Sequence, residues 1–193
     1  EHVRALVENA LGLVVIDEAY TPFCDSDYLG LASEFDNVLI MRTFSKVGLA
    51  GLRLGFLIGR PEWLTEFDKV RLPYNINSLS QAGAAFALEN FDAFWQQAAR
   101  IRADRADLAK ALQETSGVEV FESEANFGLI RTFDVDAPHV YAELKQRGIL
   151  VKCLDDAHPL LRNCLRITVG SEAENEELER AMKSWTPPPT KHG

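Results

Sequence analysis

Val38-Leu-Ile-Met-Arg-Thr-Phe-Ser-Lys46-Val-Gly-Leu-Ala-Gly-Leu-Arg53-Leu-Gly-Phe56 is the most informative stretch of this chain. Its apolar start reads as a buried strand, and the run ends in Thr43, Ser45 and Lys46. A loop of small residues with Gly48, Ala50 and Gly51 follows, then Arg53 and a second apolar run. Hydroxyls, a lysine and an arginine are thereby gathered at the carboxyl mouth of a strand, where open α/β sheets place their ligands. A lysine whose pKa is depressed offers a neutral amine that adds to an aldehyde as a Schiff base. The hydroxyls and Arg53 suit a phosphate.

Upstream, the same polarity recurs. Leu13-Val-Val-Ile16 ends in Asp17, with Tyr20 three residues on. A lysine imine with a phosphate anchor is what pyridoxal 5′-phosphate (PLP) demands, and a carboxylate on its ring nitrogen keeps that nitrogen protonated. Each residue also has an ordinary reading: a solvated loop lysine, hydroxyls that cap their own backbone, a strand arginine reaching for water. What separates the two readings is the order of several motifs. Asp17-Glu-Ala-Tyr20, Thr43 to Phe56, Ser123-Glu-Ala-Asn-Phe127 and Cys164-Leu-Arg-Ile-Thr-Val-Gly170 follow one another along the chain. Over roughly residues 10–183 it resembles the fold-type I PLP-dependent aminotransferases of class I/II, above all their histidinol-phosphate branch.

The resemblance implies roles. Lys46 would bind the cofactor's aldehyde and shuttle the substrate proton, Asp17 would hold the ring nitrogen, and Tyr20 would donate to the cofactor's O3′. Thr43, Ser45 and Arg53 would bind the phosphate. Arg166 would take the substrate's anionic group, and Lys152 stands where relatives often carry a second phosphate-binding arginine. The implied reaction is transfer of an amino group from histidinol phosphate to 2-oxoglutarate, by a homodimer, in histidine biosynthesis. Aromatic aminotransfer and threonine-phosphate decarboxylation are alternatives within the same fold, and a folded but non-catalytic fragment is the alternative outside it. One departure is that the loop after Lys46 is a residue shorter than in many relatives. The glycine-rich phosphate loop and ring-stacking aromatic of the family have no counterpart before Asp17. The chain is therefore expected to begin within a domain and to be inactive, or nearly so, by itself.

Composition narrows the field further. The 193 residues carry a net charge of −9 without a basic cluster, which argues against nucleic-acid binding. No apolar run approaches the ~20 residues of a membrane span. Three cysteines without metal-ligand spacing read as reduced thiols, hence a cytoplasmic protein, and the scattered histidines suggest no metal site.

Patterning divides the chain into a partial α/β sheet domain over residues 1–90, which the resemblance implies is part of a PLP-binding large domain, a small C-terminal domain over 91–185 and a disordered tail over 186–193. The first has a leading helix, then strands at 13–16, 37–41 and 54–58 in a mostly parallel sheet, and helices near 61–70 and 78–89. The second is α+β, with a long helix from 91, strands at 118–121, 127–130, 149–151 and 165–169, and helices at 137–146 and 172–185. In the last strand, Leu165, Ile167 and Val169 alternate with Arg166 and Thr168, so Arg166 faces away from the apolar side.

Overall fold

The structure, a computed structural model, describes residues 1–184; the expected tail at 186–193 lies outside them. The chain forms two compact units, Glu1–Ala99 and a second from Arg100 onward.

In the first unit, α1 (His2–Asn9) leads into β1 (Val14–Asp17), and α2 (Leu29–Glu34) lies on the path to β2 (Val38–Thr43). The two strands are parallel, with Val14 opposite Val38 and Asp17 opposite Met41. Val7, Ala32, Val38 and Ile40 form the core on one sheet face, with Val14, Ile16 and Phe35 against them.

β3 (Gly55–Gly59) departs from the expected mostly parallel sheet, because it runs antiparallel to β2. Its link, residues 44–54, consists of two short 3-10 turns, and a parallel return needs a crossover that usually holds a helix. Gly48, at φ 92°, makes the first bend where other residues are strained. Gly55 is required for space: a Cβ there would lie 2.8 Å from the Arg42 carbonyl oxygen. α3 (Pro61–Val70) starts with proline, and α4 (Ser78–Glu89) is capped by Asn77, whose side chain accepts from the Ser80 N–H at 2.9 Å.

α5 (Phe91–Gln113) begins where the sequence changes character, and the two units divide within it. In the second unit, β4 (Val118–Phe121), β5 (Phe127–Thr132), β6 (Lys152–Cys153) and β7 (Cys164–Thr168) form one antiparallel sheet in the order β4-β5-β7-β6. α6 (Ala137–Gln146) and α7 (Glu172–Lys183) contribute Val140, Leu144, Leu178 and Met182 to a core with Leu108, Ile130, Leu165 and Ile167. The strand expected at 149–151 is instead two residues, 152–153. Ile149 still donates its N–H to Leu144 of α6 at 2.9 Å, and Leu150 is exposed, so pairing starts later.

Ile130 sits opposite Leu165, and neither is accessible to solvent. Ile130→Ala is expected to cost about 2–5 kcal/mol, read as a lower denaturation midpoint of the second unit. α7 is held at its start by a reciprocal cap between Ser171 and Glu174. The Ser171 N–H, then its hydroxyl, hold the Glu174 carboxyl below its ordinary value.

Candidate active site

Two parallel strands end side by side in the first unit, and the polar residues that follow them share one sheet edge. Asp17 closes β1, and its Oδ1 accepts from the Ala19 N–H at 3.0 Å, which holds the carboxylate at the mouth. Tyr20 stands at the start of a 3-10 turn, Thr21–Phe23, whose Phe23 is an almost fully buried anchor. Lys46 lies in the turn after β2, with Nζ 4.9 Å from the centre of the Tyr20 ring. The two side chains that sequence alone placed 26 residues apart therefore meet.

Thr43 behaves as its ordinary reading describes. Its hydroxyl donates to the Leu54 carbonyl at 3.1 Å and accepts from the Ser45 N–H at 3.1 Å. A hydroxyl has one hydrogen to donate, and here Thr43 gives it to Leu54 and so closes the Lys46 loop. Ser45 and Lys46 are half-buried, and Arg53 is exposed in the left-handed region at φ 53°, two residues before the strand that returns beside Thr43. An open cavity of about 600 Å³ lies at this edge, lined by Asp17, Ala19 and Thr43 with Val15, Met41 and Leu57 as apolar walls. That size suits a small-molecule ligand.

In the second unit, Arg166 and Lys152 are register partners on adjacent antiparallel strands. Directly opposed side chains of like charge repel. The Arg166 guanidinium stacks 5.1 Å from the Phe127 ring centre, and its Nε is buried with no hydrogen-bond partner. Two opposed cations, one with an orphaned donor, are a combination that can accept an anion.

Three further residues of the first unit, which sequence reasoning missed, are joined in one network. Glu18, almost wholly buried, accepts from Arg42 Nε at 2.8 Å and also from the Tyr28 N–H. Arg42 Nη2 reaches Asp27 Oδ2 at 3.0 Å. Burial lowers the Arg42 pKa, but its bonds to Glu18 and Asp27 outweigh that, and the net direction is up. A charged residue inside the apolar run of β2 was the available signal, yet its partner is 24 positions away. Among the described residues no cluster of His, Cys, Asp and Glu could hold a metal ion, and no helix is long and apolar enough to cross a membrane.

A lysine and a carboxylate thus stand at the carboxyl ends of neighbouring strands, with a tyrosine against the lysine. The class I and II aminotransferase pattern matches residues 1–184, and the chain belongs to that family. The histidinol-phosphate aminotransferase of Chromobacterium violaceum is 50% identical over 185 residues, 96% of this chain and 51% of that protein. The chain thus spans about half the length of the curated relatives it matches. The solved histidinol-phosphate aminotransferase of Sinorhizobium meliloti, in complex with PLP, superposes with a TM-score of 0.76 at 28% identity, covering 89% of this chain and 48% of that one. An L-threonine-O-3-phosphate decarboxylase from Porphyromonas gingivalis superposes with a TM-score of 0.82 at 22% identity, covering 94% of this chain and 57% of that one. At that identity the likeness is one of fold.

Family membership implies PLP as cofactor. The donor set fits it. Lys46 offers an amine for the aldehyde, Asp17 a carboxylate for the ring nitrogen and Tyr20 a phenol, and Asp17 also lines an apolar-walled cavity of suitable size.

Proposed function

We propose that the complete protein transfers the amino group of histidinol phosphate to 2-oxoglutarate, as a cytoplasmic homodimer with PLP, in histidine biosynthesis. The observation that carries the substrate assignment is the opposed pair Lys152 and Arg166 with its buried, unpartnered donor. A phosphate dianion suits that pair: Arg166 supplies a fork of donors and Lys152 a second point charge. The 50% identity to a histidinol-phosphate aminotransferase supports the same reading.

When bound, PLP supplies an aldehyde for the amino group and a ring that draws electrons from the substrate's α carbon. Lys46 would hold that aldehyde through Nζ, and the same amine, when free, would move the substrate's α proton. Asp17 would keep the ring nitrogen protonated, since an adjacent anion favours the charged form. Tyr20 would donate to the ring oxygen, while Thr43, Ser45 and Arg53 would hold the phosphate. The 2-oxo acid would be the amino acceptor. The domains follow the large-and-small plan of residues 1–90 and 91–185, and the 193-residue chain by itself is inactive or nearly so.

Steady-state kinetics of the full-length protein with histidinol phosphate, phenylalanine and threonine phosphate test the assignment. We expect kcat/KM for histidinol phosphate to exceed the others by at least about 100-fold. Release of carbon dioxide from threonine phosphate, or a preference for phenylalanine, would overturn the substrate and leave the PLP site standing.

A further inference from the structure

The loop that carries Tyr20 leaves β1 at Glu18 and returns at Tyr28, and both of its ends are tied to one carboxylate. Glu18 begins the loop with its own N–H donated to the Met41 carbonyl of β2 at 2.8 Å. Its side chain then accepts from the Tyr28 N–H, ten residues on, which closes the loop at its base. From β2, Arg42 reaches in with two nitrogens. Nε lies 2.8 Å and Nη2 2.7 Å from Glu18 Oε2, and Nη2 also bonds Asp27 at 3.0 Å, so one guanidinium spans both limbs. Only 4% of the Glu18 side chain is accessible, whereas Asp27 is 41% accessible. Phe23, buried beneath the loop, fixes its middle.

The placement of these groups is what gives them a consequence. Glu18 directly follows Asp17, and Arg42 directly precedes Thr43, whose hydroxyl closes the Lys46 loop. The network therefore joins the two strand ends that carry the candidate site, and it spans the loop whose Tyr20 ring meets Lys46 Nζ. A solvated acid would suffice to end a strand. A buried acid with three donors is costly to place and stays only where its partners are held in geometry.

We propose that Glu18, Arg42 and Asp27 are positioning residues, a clamp that closes the 19–27 loop and sets the Tyr20 phenol against Lys46. This rests on the PLP reading of the site. The clamp touches neither substrate nor cofactor; it acts through Tyr20.

The sign of one spectroscopic shift separates positioning from charge. In the full-length protein with PLP, the pH midpoint of the Lys46-dependent absorbance near ~420 nm reports the acidity of the lysine–cofactor link. Tyr20→Phe removes a donor from the ring oxygen, which then holds the link's proton more firmly, so the midpoint rises, by about one pH unit. Glu18→Gln and Asp27→Asn each delete a negative charge, which by electrostatics alone lowers the midpoint. The clamp requires the reverse. Both variants raise it, and neither adds to the shift of Tyr20→Phe when the two are combined. Asp27→Asn, at an exposed position, keeps the test available should Glu18→Gln fail to fold. A falling, unchanged or additive midpoint in a protein whose wild type shows the band overturns the clamp alone. Absence of the band in the wild type, with no label on Lys46 after reduction, overturns the PLP reading and the clamp with it.

Discussion

Lys46→Ala in the full-length protein is expected to lower kcat by at least about 10³-fold, from its loss as proton shuttle alone. The reason is geometric as well as chemical. Nζ leaves the turn after β2 and reaches the Tyr20 ring at 4.9 Å, and β2 runs parallel to β1, which ends at Asp17; in the proposed reaction that one atom would serve both the aldehyde and the substrate carbon. The other lysine of the first unit, Lys69, is committed to Glu66 on α3. The variant should fold, because Lys46 is half-buried and its contact is with a ring face. Rapid-mixing kinetics with substrate would show the α proton retained. Turnover within tenfold of wild type would remove Lys46 from the chemistry.

The second large effect belongs to the other unit. Arg166→Ala is expected to raise KM for histidinol phosphate by about 30-fold to a few thousand-fold, since removing one partner from a desolvated charge pair costs about 2–5 kcal/mol. The guanidinium lies over the Phe127 ring with Nε buried, which restrains the fork before an anion arrives. Lys152 opposes it across the ladder. Removing Arg166 also relieves that repulsion, so thermal stability should change little while KM rises. An unchanged KM, with the fold intact by thermal melting, would move the phosphate site elsewhere.

How far the sequence foresaw these features depends on whether the signal was local. Two apolar runs ending in Asp17 and in Thr43 to Lys46 show buried strands with chemistry at their carboxyl ends, and β1 and β2 lie parallel with those ends adjacent. The alternation around Arg166 likewise gave the face it occupies, as the buried Leu165 and Ile167 on either side show. Pairing direction was not local. β3 has the apolar look of a parallel strand, but the short link at residues 44–54 turns it back. At residues 149–151 an apolar run lost its strand to the C-terminal turn of α6, a competition that periodicity does not register. Thr43 spends its hydroxyl on Leu54, a partner 11 residues away. The Glu18–Arg42 pair joins positions 24 apart across a parallel ladder, a separation only the sheet register brings together.

The central claim is that Lys46 is the cofactor-binding lysine. Its most direct test is to mix the protein with PLP, reduce with borohydride and map the labelled peptide, using the full-length protein beside the 193-residue chain. We expect a band near ~420 nm before reduction and the label on Lys46 in the full-length protein. A label on any other lysine, or no band in either protein, would contradict the assignment.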